Sequence, residues 1–260
     1  MKKLWIINGL LALCLTACGG GGGGDSISPS RPNSTLTPVA PVTPVTPAQG
    51  YGGSVVGLVV NERTHQVASL APQSALPSTG LDSVVIDGQS KTLIPLGFRV
   101  GRYHNVDGHD EDLVVFGGMK HMRFGIYDRE IGDMLRATVF THGLLTDTAQ
   151  MPAQGKALYL GEALWLQHDI YDNDIEDKHN QATFNVDFSN KTIDGLIGAN
   201  LYQPIHLKGT ISGNAFGGTS NSGIIMQGNF FGDKAEELGG TFHKNAADGL
   251  ITGAFGAIKR

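Results

Sequence analysis

From residue 184 onward the chain sets an apolar side chain at every second position. Phe184, Val186 and Phe188 are followed by the turn-forming run Ser189-Asn190-Lys191, and Ile193, Gly195 and Ile197 lead back. A period of two places successive side chains on opposite faces of a strand, and a short polar return makes an antiparallel hairpin. The same patterning precedes this pair at 156–166 and follows it at 205–215, 223–231, 238–243 and 250–259. Glycine recurs inside these runs, and the chain holds 37 glycines in 260 residues, about twice the ordinary share. Glycine inside a strand marks a tight bend, so the series reads as a curved sheet closed on itself, an up-and-down barrel of about eight strands. Seven runs are legible after Lys156, so one strand is missing from the reading or fused with a neighbour.

The preceding hundred or so residues, 51–150, carry shorter runs of the same kind at 55–60, 83–86, 92–100, 113–116, 122–127 and 135–141. Each is rich in Val, Ile, Phe and Tyr and is bounded by Gly, Asn or Asp, and none has the 3.6 period of an amphipathic helix. The fold class expected is therefore all-β: a β-rich domain over 51–150, then the barrel over 151–260. A hydrophobic share of 40% with 17% charge excludes a wholly disordered chain. The formal charge of -5, without any Lys/Arg run, argues against nucleic acid as a partner.

The N-terminus has a different role. Lys2 and Lys3 precede an apolar core from Leu4 to Leu15, the layout of a secretory signal peptide over 1–17. The end of that core, Leu15-Thr16-Ala17-Cys18, resembles the bacterial lipobox, which implies cleavage before Cys18, acylation (palmitate among the chains) and a lipid anchor. Six glycines follow at 19–24, then a Ser/Thr/Pro/Val segment to Gly50 with the repeats Thr37-Pro38-Val39 and Thr43-Pro44-Val45. Such a segment cannot bury a core. At about 3.1 Å per residue its extended form holds a folded head roughly 80 Å from an anchor. With Cys14 removed and Cys18 acylated, no disulfide is available to the head.

The run Gly228-Asn229-Phe230-Phe231-Gly232-Asp233-Lys234-Ala235-Glu236-Glu237-Leu238-Gly239-Gly240-Thr241-Phe242, with the terminal 253–259, resembles the barrel signature of the transferrin-binding protein B-like surface lipoproteins. Factor H binding protein and the haemophilins are small single-lobe members of that group. The resemblance implies a handle domain over 51–150 ahead of the barrel and display at the cell surface of a Gram-negative outer membrane. It also implies passage through an outer-membrane lipoprotein exporter. Physically the run is strand, turn, strand. Phe230 and Phe231 fall on opposite faces, so one enters the barrel and the other faces out, while Glu236 and Glu237 are expected in solvent.

Candidate binding residues are few. The segment 103–112 mixes His104 and His109 with Asp107, Asp110, Glu111 and Asp112 and reads as a polar loop between two strands. Neither an EF-hand spacing nor His-Glu-x-x-His is present, so no metal site is assigned. His121 lies beside Gly117-Gly118-Met119 at a strand start. By the resemblance to haemophilins, whose handle domain holds haem through histidine, His104 and His121 are the candidate haem ligands, with Met119 and Met122 lining an apolar slot. The acidic run Asp169, Asp172, Asp174, Glu176 and Asp177 reads as a loop interrupting a hairpin, solvated or facing a basic partner. Tyr171 within it is the candidate interface anchor.

No nucleophile elbow, phosphate loop or free thiol is present, so the chain reads as a binder and not as an enzyme. The favoured ligand is haem or haemoglobin, taken for iron acquisition, with a TonB-dependent transporter as a further partner. A serum protein such as complement factor H or transferrin is the first alternative. A host-association lipoprotein without a small ligand is the second.

Overall fold

The computed structural model describes residues 50–260 except 65, 74, 79, 95–100, 108–110, 169–174 and 247–248, together with the backbone but not the side chains of 101–107. The leader, Cys18 and the tether lie outside the described residues, as does Tyr171.

All regular structure here is β apart from two single-turn 3-10 helices, at Thr148–Gln150 and Asp233–Ala235. The first nine strands are β1 (Tyr51–Gly52), β2 (Val55–Asn61), β3 (Gln66–Gln73), β4 (Ser83–Ile86), β5 (Gln89–Thr92), β6 (Gly101–Asp107), β7 (Glu111–Gly117), β8 (Met122–Ile131) and β9 (Met134–Leu144). Seven of them form one antiparallel sheet in the order β3-β2-β9-β8-β7-β6, with β1 paired to the end of β9, and β4-β5 is a separate hairpin. Two of these strands escape the alternation rule. The side chains of β3, QVASLAPQ, are mostly exposed on both faces of an edge, so no apolar period is required of it. His104 and its polar neighbours, read as loop, form β6 opposite β7. The strand expected over 92–100 is absent at its start: β5 ends at Thr92, and Leu93 and Ile94 are buried in a bend.

The remaining eight are β10 (Lys156–His168), β11 (Ile175–Asp187), β12 (Thr192–Ile197), β13 (Ile205–Ser212), β14 (Ala215–Thr219), β15 (Ile225–Phe231), β16 (Glu237–Ala246) and β17 (Gly249–Lys259). They close a barrel in sequence order, β17 returning to β10. The eighth strand is β14: the single run expected over 205–215 is β13 plus a tight turn at Gly213-Asn214, and β14, AFGGT, is too short and glycine-rich to announce itself. The second half of the acidic run, from Ile175, is strand β11 and not loop.

Three apolar clusters stack in layers. The barrel interior is filled by Tyr159, Trp165, Phe184, Phe188, Phe216, Phe230, Phe242 and Phe255 with aliphatic neighbours. A second cluster joins the first sheet to the barrel's outer wall: Leu58, Val60, Met122, Phe124, Ile126 and Val139 meet Leu164, Leu166, Phe231, Leu250 and Ala254. A third lies on the far face of the sheet, where Val84, Ile86 and Leu93 cover Val115, Tyr127 and Phe140. The expected split of the Phe pair is met: Phe230 packs inside the barrel and Phe231 outside it, but Phe231 is fully buried because the sheet covers that wall.

Candidate functional site

Register decides which barrel residues meet the sheet. On β16, Leu238 and Phe242 point inward, so Glu237, Gly239, Thr241 and His243 point out, and all four are buried beneath the sheet. Two glycines let the sheet come close. A Cβ at Gly239 would sit 2.4 Å from Met122 Cε, and one at Gly256 would sit 2.6 Å from Phe124 Cδ1 and 2.9 Å from Met119 Cε. Met122 is fully buried in this seam and Met119 is partly buried against the same cluster.

The loop between β7 and β8 is held to the barrel by charge as well. The backbone N–H groups of Lys120 and His121 donate to the two oxygens of Glu237, at 2.7 Å and 2.9 Å. The expectation that Glu237 lies in solvent is thereby corrected: it is 3% exposed, and its carboxylate serves the loop's orphan donors. Glu236 does stand half-exposed. Its Oε2 lies 2.8 Å from His121 Nε2, off the line of a hydrogen bond. The His121 ring lies flush against Gly232, whose φ of 73° and missing Cβ make the contact possible, since a Cβ there would meet the ring at 2.4 Å. On the other side of the loop, the buried Arg123 donates to the carbonyls of Met119 and Met122 and to Asp82 Oδ1 at 2.8 Å.

These placements bear directly on the residues singled out in sequence. His121, Met119 and Met122 come together, at the seam between sheet and barrel. His104 does not join them by contact: its Cα is paired with Val114 in β6, and its side chain lies outside the described residues. A histidine not singled out, His142, is buried on β9. Its Nε2–H donates to the Gly80 carbonyl at 2.8 Å, and its ring stacks on Tyr51 at 5.5 Å. Burial, aided by the nearby Arg123 guanidinium, lowers its pKa, and burial alone lowers that of His243. Among the described residues no group of three or more His, Cys, Asp or Glu side chains could hold a metal ion.

The path of the chain orients the lobe. Leu145 N–H donates to the carbonyl of Gly50, the first described residue, and Leu145 bridges to Phe231. Thr146 binds the carbonyls of Phe230 and Gly232, and Asn214 donates to Thr146. Gly50 therefore lies at the barrel end that carries the connections 145–155, 213–214 and 232–236. The opposite end carries 198–204 and 220–224, and there Tyr202 stands 98% exposed. Near that rim, on the outer wall of β10, β11 and β12, a cleft of about 760 Å³ is lined by Glu162, His179, Gln181, Thr183, Leu196 and Asn200, with Phe116 of the sheet closing one side. Tyr171, the interface anchor expected from the sequence, lies outside the described residues. Tyr202 sits in an Asn-Leu-Tyr-Gln turn with no periodicity to mark it.

Residues 151–259 match the family described as the C-lobe and N-lobe beta barrels of Tf-binding protein B. An uncharacterized protein of Haemophilus influenzae strain Rd is 29% identical over 96% of each chain. Transferrin-binding protein B of Neisseria meningitidis strain Z2491 is 31% identical over 43% of this chain and 21% of its own length. That of H. influenzae strain 86-028NP is 25% identical over 66% of this chain and 33% of its own. Of solved structures, transferrin binding protein B of Haemophilus parasuis superposes with a TM-score of 0.62 at 21% identity, over 80% of this chain and 45% of that one. A protein described as a surface lipoprotein superposes with a TM-score of 0.51 at 18% identity, over 83% of this chain and 100% of that one. The chain thus spans a third or less of its transferrin-binding relatives, with one sheet-plus-barrel lobe.

Proposed function

We infer that this chain, a member of the transferrin-binding protein B-like family, is a tethered lobe that captures a host iron-carrier protein on its outer surface. The observation that carries the reading is the barrel interior. Eight aromatic side chains pack into it, which favours recognition on exterior surfaces over a small ligand held inside. The relatives named for binding transferrin make an iron carrier of that kind the first candidate.

Because Gly50 lies at one end, a lobe anchored through its N-terminus turns its 198–204 and 220–224 end outward. An exposed aromatic flanked by polar loops on a rigid barrel is the usual composition of a protein-binding face. Tyr202 is its anchor. The leader-like residues 1–17 and the lipobox-like Leu15-Thr16-Ala17-Cys18 support an outer-membrane lipid anchor, and the reading adds an exporter for delivery to the surface and a TonB-dependent transporter for the iron.

The test is capture from host serum and from red-cell lysate on the immobilised chain, with a visible spectrum of the eluate. A transferrin-like protein retained from serum, and lost on Tyr202→Ala, supports the reading. A Soret peak with globin bands moves the ligand to haemoglobin or haem. A colourless serum protein without iron, such as a complement regulator, overturns iron capture.

A further inference from the structure

We propose that the seam between sheet and barrel contains a built site for an ordered water, held by Thr241, His243 and Thr252. All three side chains point from the barrel's outer wall toward the sheet, and each is more than nine-tenths buried. Thr241 Oγ1, His243 Nδ1 and Thr252 Oγ1 are also buried, and none has a hydrogen-bond partner among the described residues. Register brings them together: His243 is directly opposite Thr252 across β16 and β17, and Thr241 precedes His243 by one full strand repeat on the same face.

Three orphaned polar atoms at adjacent positions are costly, and buried polar groups in folded proteins nearly always find a partner. The chemistry of the cluster narrows what that partner is. The lateral neighbours Ile225, Gln227, Leu166 and Ala254 carry no charge, and the facing cluster of the sheet is apolar. A cation would find no carboxylate among these lateral neighbours. An anion would find no fixed positive charge among them, and burial lowers the His243 pKa, which disfavours the imidazolium. A neutral molecule that both donates and accepts is required: the two hydroxyls can each donate or accept, and the imidazole Nδ1 accepts or donates according to its tautomer. One water satisfies two to four such groups, the ordinary valence of a buried water. The site does not depend on which host protein the lobe captures.

Thr252→Val and Thr241→Val in the full chain test it, since valine keeps the shape and removes the hydroxyl. If a water is bridged, each variant strands it and the remaining groups, and the melting temperature falls by about 2–4 °C. If the hydroxyls are simply orphaned, valine removes a buried penalty, and an unchanged or raised melting temperature overturns the proposal. A high-resolution crystal structure supplies the second reading. Solvent density within hydrogen-bond distance of His243 Nδ1 supports the site, and a dry seam overturns it even if the variants are destabilised.

Discussion

Replacing Glu237 by alanine is the most informative single perturbation of this lobe. The carboxylate is 3% exposed and accepts two backbone hydrogen bonds from Lys120 and His121, at 2.7 Å and 2.9 Å. Hydrogen bonds to a charged group contribute about 1.5–3 kcal/mol each, and their loss leaves two main-chain donors in a seam with little water. The expected cost is therefore about 3–5 kcal/mol, smaller than the simple sum at its upper end because the loop can shift toward solvent. For a folded unit of this size, about 1 kcal/mol moves the melting temperature by 2–4 °C, so Glu237→Ala should melt roughly 6–20 °C lower. Glu236→Ala is the internal control: its side chain is 49% exposed and its contact with His121 is off-axis, so its cost should stay below about 1 kcal/mol. Urea denaturation with hydrogen exchange at Lys120 and His121 reads both effects. If Glu237→Ala costs no more than Glu236→Ala, or the two amides exchange no faster, the carboxylate does not hold the sheet to the barrel and the reasoning fails.

Acid should weaken the fold through its buried histidines. His142 and His243 have folded pKa values lowered from 6.5 by burial, so the unfolded chain binds more protons below that value. Stability is then full above about pH 7 and falls as the pH drops toward 5; a His142→Gln variant whose urea midpoint falls just as steeply would remove that residue from the account. Gly228→Ala should cost about 1–3 kcal/mol or more, because its Cβ would meet Phe216 Cζ and the Gly239 carbonyl oxygen, both 2.4 Å away. Calorimetry of that variant at unchanged melting temperature would show the barrel wall is looser than described. Tyr202→Ala should leave stability within about 0.5 kcal/mol while weakening capture of the host protein, and a large loss of stability would make it a packing residue.

The parts of this fold that could be seen in the sequence are those where one face is buried and the other is not. Phe184, Val186 and Phe188 announce their strand because the barrel interior takes every second side chain. β14 did not, since its glycines and brief length remove the alternation that would separate it from the turn before it. β3 and β6 failed for another reason, being edge strands: β3 buries only Val67 and Leu70 in part, three positions apart, and β6 is rich in polar residues, so neither carries a period of two. Glu237 shows a different limit. Its charge alone said solvent, yet its parity with Phe231 placed it on the outward face. That this face is covered depends on contacts with Lys120 and His121, more than a hundred positions earlier. The seam histidine His121 stood out beside its glycines, whereas Tyr202 carries no local signal. An exposed anchor is defined by what surrounds it in space.

The barrel closes on itself through the pairing of its last strand, β17, with its first, β10. Neither the packed interior nor the wall that supports the first sheet exists until that last segment is in place. Long-range closures of this kind are slow to form, because the chain between them must be ordered first. The barrel's first strand therefore waits for its last, and folding of the lobe is timed by the arrival of β17.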